Sequence, residues 1–253
     1  LRAGPPCVPA LSLSDAKGRS AWPAHAPPPA LPAAGGRPDE AVRSYPYALL
    51  PVEPLAQVAA RLGNVTEEPD ADGIIRRVHL FRAFDGRLVP SLALAAVQAA
   101  GKGERLRVDG RTLHGTTSPQ PLANGTGSIL RFRGPAGTHE KLRAAALIES
   151  ELRLQAGRDD PPVDPDRLRD CYVFVGPTAK ALHDLQATPV DAKYPGVEVQ
   201  ATALDNLLAG DFLRETPFWL AALATGLLAV LAASAALAPK ETWHSAAAFV
   251  LFV

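Results

Sequence analysis

An acidic turn is the first stretch whose residue types and spacing suggest chemistry. Asp70-Ala71-Asp72-Gly73 has the alternating carboxylates and the glycine of a calcium-binding loop. An EF-hand loop also needs a third ligand at the next alternate position and a Glu at its twelfth, where this chain has Phe81. We therefore interpret Asp72 and Gly73 as part of a turn that leads into a strand, and we expect neither a metal ion nor a cofactor.

Arg76 and Arg77 follow that turn and are candidates for contact with an anionic ligand or a lipid headgroup. Successive side chains on a strand point to opposite faces, so at most one of the two lies on any one surface. A structural ion pair is the role that we expect for one of them.

Cysteine offers one further possibility, a thiol nucleophile at Cys171 activated by His114 or His183. Cys171 opens the apolar run at 171–177, which predicts a buried strand and an inert thiol. Cys7 is the only other cysteine, and neither cysteine belongs to a CxxC pair or a histidine cluster. The sequence therefore indicates no disulfide framework and no zinc site.

The composition sets the class of protein. The chain has 253 residues, 47% hydrophobic and 21% charged, which is enough for one or two folded domains. Basic and acidic residues both number 26, so no overall basic field is available to bind nucleic acid. The chain begins with Leu1, contains no Met and stops within an apolar run, and we expect it to be an internal piece of a longer protein.

Strand-like and helix-like segments alternate from residue 48 onwards. Segments 74–81 and 128–134 have the pattern of strands, and each precedes a segment of helical composition, at 90–100 and 140–154. We predict an α/β fold, a layered and largely parallel or mixed sheet with flanking helices, over 48–213. Residues 1–47 are rich in proline, since the first 54 residues hold 12 of the 25 prolines, and we predict an irregular part of the same domain.

The interval 217–239 contains no charged residue. Its central 21 residues, 218–238, are enough at about 1.5 Å each to cross a hydrocarbon core of roughly 30 Å. We predict a transmembrane helix there, with Thr216 as its cap and Pro217 at its start. The chain is apolar again over 245–253, which predicts the start of a second membrane helix.

A helix immediately before this interval has an apolar face that includes Leu204 and Leu208, while Gln200 and Asn206 fall elsewhere on the helical wheel. Gly210 is placed to end the helix. Only six residues, 211–216, then separate it from the predicted span. We expect Leu204, Leu208, Gly210, Thr216 and Pro217 to form a joint that transmits movement of the domain to the membrane.

Several ordered motifs resemble one known family. NVTEEPDADGIIRRVHLF followed by PSLALAAVQAAG, then YVFVGPTAKALHDLQATPV, then PGVEVQATALDNLLAGDFL, are similar to the motifs of the CHASE type-two domain, the second subfamily of extracytoplasmic sensors associated with cyclases and histidine kinases. The resemblance is clear over 48–218. In these motifs stand Asp72, Gly73, Arg76, Arg77, Gly176, Asp184, Thr188, Pro189, Gly196 and Glu198, our candidate sensing or structural residues.

The resemblance implies a sensory input domain outside the cytoplasmic membrane of a bacterium, periplasmic or extracellular, in a multi-pass receptor. The implied partners are the lipid bilayer, an unidentified extracytoplasmic ligand, a cytoplasmic effector domain in the same chain and a second copy in a homodimer. The effector would be an adenylate or guanylate cyclase, a Ser/Thr kinase or a histidine kinase beyond residue 253, so the residues present are not expected to be an enzyme. Gln200 stands where the family often has His.

Three functions remain open at this point. The first is a sensory input module, and Asp184 with Thr188-Pro189, in a loop after a predicted strand, is then the preferred sensing surface. The second is a membrane-anchored extracytoplasmic hydrolase that uses Cys171 or a pair of aspartates. The third is a passive anchor or oligomerisation scaffold.

Overall fold

A computed structural model describes residues 5–29, 42–101, 107–109, 112–116, 118–122, 127–178 and 184–237. The chain divides into two compact units, residues 1–213 and 214–253. His183 and residues 245–253, for which the sequence made predictions, lie outside the described residues.

The first unit alternates short strands with helices. The strands are β1 (Ala10–Ser14), β2 (Ser44–Tyr45), β3 (Tyr47–Leu49), β4 (Gly63–Asn64), β5 (Arg77–His79), β6 (Phe81–Phe84), β7 (Arg87–Pro90), β8 (Arg107–Asp109), β9 (Thr112–His114), β10 (Gln120–Pro121), β11 (Gly127–Ile129), β12 (Leu185–Gln186) and β13 (Tyr194–Pro195). Its helices are α1 (Glu53–Val58), α2 (Leu92–Ala99), α3 (Ala144–Gln155) and α4 (Gly196–Ala209), with a 3₁₀ turn at Pro165–Leu168. The second unit contains α5 (Phe218–Leu237).

The strands form several small sheets, which corrects the prediction of one layered sheet. Three sheets have three strands each, in the orders β3-β1-β4, β2-β6-β7 and β10-β9-β8, and two further pairs join β11 with β5 and β12 with β13. Among the strand pairs of the described residues, β1/β4 and β2/β6 are parallel and the others antiparallel. The fold is therefore mixed α/β, as predicted, with mainly antiparallel pairing. Strands of two to five residues are too short to build the continuous sheet that the alternating pattern suggested.

The proline-rich beginning of the chain contains more regular structure than its composition predicted. β1 lies at the centre of its sheet, antiparallel to β3 and parallel to β4. Leu11 and Leu13 on β1 are 1% and 3% exposed and join the core of that region with Tyr45 and Phe84. Alternation of apolar residues at 11 and 13 carried this information, and the many surrounding prolines obscured it.

The β6-β7 hairpin and helix α2 form the centre of the main core. Asp85 and Gly86 both have positive φ, which suits the two-residue turn of a β-hairpin. Ser91 begins α2 by accepting a hydrogen bond from the Leu94 amide. The helix then buries Ala93, Leu94, Ala95 and Val97. Helix α2 packs on α4, so the core lies between the hairpin and these two helices.

Helix α4 ends as predicted but is buried on a much larger part of its surface. Gly210 terminates it in the left-handed conformation at φ 70°. Leu204 is buried and Leu208 partly buried, as the apolar face required. Gln200 and Asn206, which were expected on a polar face towards water, are only 2% and 0% exposed. The helical wheel missed them because their polar groups bond to the protein and not to water.

Segment 171–177 is not a buried strand, and the prediction there was wrong. The segment belongs to none of the sheets formed by the described residues. Tyr172 and Phe174 pack against the core, whereas Val173 and Val175 are 55% and 89% exposed. Cys171 is likewise an exposed free thiol, where a buried one was predicted. An apolar run can thus cover a core with alternate residues and leave the others in solvent.

Helix α5 has 20 residues, and many of its large apolar side chains are exposed, among them Phe218 (87%), Trp219 (66%), Leu223 (64%) and Val230 (66%). Within the part of the chain that the structure describes, no helix meets the length and apolarity needed to span a membrane. The predicted transmembrane helix over 217–239 is therefore not supported.

Replacing Asn206 tests how the end of α4 is attached to the fold. Asn206 Oδ1 accepts a hydrogen bond from the Arg131 amide at 2.8 Å, and Asn206 Nδ2 donates to the Arg131 carbonyl at 3.1 Å. Asn206→Ala leaves both backbone groups unpaired, so we expect a loss of about 2–3 kcal/mol in the free energy of unfolding. Urea denaturation measures it. The exposed amide of Gln155 serves as control, since Gln155→Ala should change stability by less than about 0.5 kcal/mol. Equal effects of the two substitutions would contradict the role of Asn206.

Candidate functional site

A partly open cavity of about 190 Å³ lies at the beginning of α4. Most of its wall is aliphatic, and four polar side chains also contribute. The described residues that line it are Ala10, Val65, Glu67, Ile75, Leu92, Val175, Gly176, Pro177, Asp184, Gln186, Gly196, Val197, Val199 and Gln200. An apolar cleft with a few polar groups is the usual form of a small-molecule site. We therefore take it as the candidate functional site.

Glu67 and Gln200 are bonded to each other in the wall of this cavity. Gln200 Nε2 donates to Glu67 Oε1 at 2.8 Å, and Gln200 Oε1 accepts from the Ala93 amide at 3.3 Å, near the start of α2. Glu67 Oε2 is buried and has no hydrogen-bond partner among the described residues. Burial raises the pKa of Glu67 to about 8, although the hydrogen bond from Gln200 and the charge of Arg82 act in the opposite direction. Glu67 is therefore mainly protonated at pH 7.

The neighbouring Glu68 has the opposite electrostatic environment. Arg82, which is 3% exposed, contacts Glu68 Oε2 at 3.1 Å, and both Arg43 and the Tyr45 hydroxyl donate to Glu68 Oε1. Burial alone would raise the pKa of Glu68, but the Tyr45 hydrogen bond and the two arginine charges outweigh it and lower the pKa. Two adjacent carboxyl groups thus differ in charge at neutral pH, because one has cationic partners and the other lies against aliphatic side chains.

His79 completes the charged network behind the cavity. Arg82 donates to His79 Nδ1 at 2.9 Å. Burial, followed by the charge of Arg82, lowers the pKa of His79 to about 4, so the ring is neutral at pH 7. Burial and the hydrogen bond to Glu68 raise the pKa of Tyr45 to about 12. Neither ring therefore changes charge between pH 5 and 9.

Asp184 closes the other end of the cavity at the first turn of α4. Its carbonyl accepts from the Gly196 amide at 2.9 Å, and burial raises the pKa of its carboxyl despite a hydrogen bond from the Val197 amide. A Cβ on Gly196 would lie 2.2 Å from Asp184 Oδ1, and a Cβ on Gly176 would lie 2.6 Å from Val197 Cβ. Both glycines are thus required where the chain approaches α4 closely.

Glu198 is buried in the first turn of α4 but does not line the cavity. It accepts from the amides of Gly137, at 2.8 Å, and His139, at 3.3 Å, and it pairs with Lys141 Nζ at 2.8 Å. Thr202, one turn later, lies 3.1 Å from both His139 Nε2 and the Tyr194 hydroxyl. These contacts hold segment 137–141 on α4, so Glu198 has a structural role.

The Asp70–Gly73 turn is an ion-pair cluster. Arg76 contacts Asp70 at 3.1 Å and Asp72 at 2.8 Å, and Arg77 contacts Asp70 at 2.6 Å. Both arginines therefore form the ion pair that was predicted for one of them, because the turn brings Asp70 within reach of both. Gly73 has φ 81°, which favours glycine. Among the described residues no group of His, Cys, Asp and Glu has the arrangement of a metal site.

Two further candidates lie apart from the cavity. Thr188 Oγ1 donates to the Asp191 carbonyl at 2.9 Å and accepts from the Asp191 amide at 3.2 Å, which makes Thr188-Pro189 a local turn. Within the described residues, Cys171 Sγ contacts the carbonyls of Arg167 and Arg169 and not a histidine. Of the three residues that were chosen as a sensing surface, Asp184, Thr188 and Pro189, only Asp184 is among the described residues that line the cavity.

The end of α4 is fastened to β11 and to the irregular segment that follows it. Arg133 pairs with Asp205 through Nε and with Asp211 through Nη1 at 2.7 Å. The hydrogen bond from Arg133 lowers the pKa of Asp211. Leu213 donates to the Ile129 carbonyl at 2.9 Å, immediately before residue 214, where the second unit begins. Helix α4 therefore runs from the cavity to the end of the first unit.

The sequence alone did not identify Glu67, Gln200 and Arg82 as site residues. Two signals were present: the Glu67-Glu68 pair within the first family motif, and Gln200 where the resemblance leads one to expect His. Neither indicates a cavity, because the contact between Glu67 and Gln200 joins residues 133 positions apart.

The first unit is a small α/β domain with a cavity at the start of α4, the helix after which the chain continues into the second unit. This is the architecture expected of a sensory input domain. Comparison with models of protein families finds the CHASE2 domain over residues 15–238, most of the chain. The chain belongs to the CHASE2 domain family. The matched region includes the proline-rich stretch from residue 15, beyond the 48–218 over which the motifs were clear. No curated protein and no solved structure matches the chain significantly.

CHASE2 domains are extracellular sensory domains, which agrees with a sensory role for this chain. The family is not catalytic, and this agrees with the expectation that the residues present are not an enzyme.

The raised pKa of Glu67 makes the stability of the first unit depend on pH. Unfolding returns the carboxyl to its ordinary pKa of 4.5 from about 8, so the folded state holds an extra proton between these values. The stability that this group contributes is full below about pH 4.5 and is lost as the pH rises through 8, with a slope of up to about 1.4 kcal/mol per pH unit.

We expect Glu67→Gln to remove most of that slope and to raise the midpoint of urea denaturation at pH 8. Glu151→Gln, on exposed α3, is the matched control and should leave the pH dependence unchanged. A wild-type stability that does not vary between pH 5 and 8 would contradict a buried, protonated Glu67.

Proposed function

We propose that this chain is the extracytoplasmic sensory input part of a bacterial transmembrane receptor, and that the cavity at the start of α4 receives its ligand. The observation that carries the proposal is the position of α4. Gly196, Val197, Val199 and Gln200 line the cavity, and the same helix ends four residues before the second unit begins. A ligand that contacts the first turns of α4 thus acts directly on the element that leads out of the domain.

The energetic basis is a difference in affinity between two arrangements of the domain. A ligand shifts such an equilibrium only as far as it binds one state better than the other. Gln200 is bonded to both Glu67 and the Ala93 amide, so α4, α2 and the cavity wall are connected through one side chain. Competition for Glu67 or Gln200 would loosen this connection and change the position of α4 relative to α2.

The remaining parts of the receptor are proposed from the resemblance to the CHASE type-two family. We propose that the apolar segment 217–239 associates with the cytoplasmic membrane, that the receptor is multi-pass, and that a cytoplasmic cyclase, Ser/Thr kinase or histidine kinase follows. A homodimer would suit such effectors. Retention of the chain in membranes washed at alkaline pH tests the association, and its complete release would contradict it.

Blocking the cavity tests the sensory role in the full-length receptor. Ala10 lies on the cavity wall and is exposed, so the indole of Ala10→Trp can occupy the cavity without displacing core residues. We expect this variant to change cyclic-nucleotide synthesis or phosphorylation in isolated membranes in the same direction as deletion of residues 5–213. Ala16→Trp places the same indole at an exposed position outside the cavity and should behave as wild type. Output that ignores both the deletion and Ala10→Trp would contradict the proposal.

Loosening the end of α4 tests the connection to the second unit. Arg133→Ala removes the ion pairs with Asp205 and Asp211, which are partly exposed, so stability should fall by only about 1 kcal/mol. In the Arg133→Ala receptor, we expect Ala10→Trp to change the output much less than it does in the wild-type receptor. Arg153→Ala is the control, because it removes a comparable set of ion pairs, those of Arg153 on α3 with Glu149 and Asp160. The same loss of regulation in Arg153→Ala would show that the Arg133 contacts are not specific.

A further inference from the structure

The charge of the cavity wall indicates what kind of ligand it receives. Among the described lining residues the ionisable groups are Glu67 and Asp184, both acidic. Arg82, the cation that influences Glu67, is itself paired with Glu68 and bonded to His79. An anionic ligand would therefore meet repulsion from Asp184 and, once ionised, from Glu67. A cationic group would meet two carboxyl groups.

The hydrogen-bonding capacity of the wall points in the same direction. Glu67 Oε2 is buried and has no hydrogen-bond partner among the described residues, and it becomes an acceptor when Glu67 ionises; a buried acceptor is costly to leave unpaired. The side chain of Gln200 bonds elsewhere, since its Nε2 donates to Glu67 Oε1 and its Oε1 accepts from the Ala93 amide. A ligand that donates hydrogen bonds would supply the missing partner.

The shape of the cavity limits the size and type of that donor. A volume of about 190 Å³ equals roughly six water molecules at about 30 Å³ each, which is too small for a nucleotide or a peptide. The remaining wall is aliphatic, with Val65, Ile75, Leu92, Val197 and Val199 among its residues. No aromatic ring is among the described lining residues, although aromatic cages are the usual partners of quaternary ammonium groups. A primary ammonium, which donates three hydrogen bonds, suits this wall better.

We propose that the cavity binds a small aliphatic primary ammonium ion, with Glu67 and Asp184 as its anionic partners and the valine-rich wall around its hydrocarbon part. This inference rests on the proposed sensory function and adds the chemical class of the ligand.

Binding of this ligand would be linked to the release of a proton. Glu67 is mainly protonated at pH 7 and must ionise to pair with an ammonium group. Asp184, whose pKa is also raised by burial, faces the same cavity, while Glu68 and Arg82 lie behind Glu67 and keep their charges. His79, with its lowered pKa, stays neutral above pH 5. Affinity for the ammonium ion should therefore rise almost tenfold per pH unit up to about pH 8 and then level off.

The test is calorimetric titration of the purified chain with n-butylammonium chloride, in phosphate and in a zwitterionic sulfonate buffer, between pH 6 and 9. We expect binding with release of close to one proton at pH 7. 1-Butanol, butyrate and tetramethylammonium should bind at least tenfold more weakly, since each lacks either the charge, its sign or the N–H donors. Comparable affinity for 1-butanol would overturn the proposal. So would a titration in which n-butylammonium shows no binding even at about 100 times the concentration used for the other probes.

Variants separate the ligand class from the sensory role. The glutamine of Glu67→Gln resembles the protonated glutamate, so this variant should fold. It should bind n-butylammonium at least tenfold more weakly and without the pH dependence. Asp184→Asn should also weaken binding, and Glu151→Gln should not. If Ala10→Trp alters receptor output but n-butylammonium does not bind, the ligand class is wrong and the sensory function stands. If the deletion of residues 5–213 leaves output unchanged, the sensory function itself fails, whatever binds.

Discussion

The burial of polar side chains along α4 is the constraint on which the rest of this domain depends. Glu198, Gln200, Thr202 and Asn206 are each at most 3% exposed, and together they bond to three different parts of the chain. Glu198 and Thr202 hold segment 137–141, Gln200 connects Glu67 to α2, and Asn206 pairs with the backbone at Arg131. Small sheets of two or three strands bury little area by themselves. Their arrangement around one helix is specified by these hydrogen bonds together with the apolar core.

The two adjacent glutamates show how one short motif serves two purposes. Glu68 lies among Arg43, Tyr45 and Arg82 and contributes to the structure as a carboxylate. Glu67 lies in the mostly aliphatic wall of the cavity, where an uncharged carboxyl is more stable. The network at Glu68 holds the backbone in place and thereby keeps Glu67 in a position that it would not occupy by its own solvation preference.

The sequence predicted the elements better than their environment. Helices α2, α3 and α4, the Asp85-Gly86 turn and the end of α4 at Gly210 follow from local patterns, because capping, turn chemistry and periodicity act over a few residues. The exposure of Val175 and the burial of Gln200 do not follow, since both depend on partners far away in the chain. The cavity was missed for the same reason. Its polar groups come from positions 67, 184, 186 and 200, and only Asp184 stood out within its own segment.

The distribution of polar contacts around α4 also limits how the helix can move. At 100° per residue, Glu198, Thr202 and Asn206 project within about 80° of one another, whereas Gln200 projects on the far side of the axis. Turning the helix about its axis would strain the contacts on both sides at once. Helix α4 is therefore held on two opposite sides, and a ligand that released Gln200 would free only the side that faces Glu67 and α2.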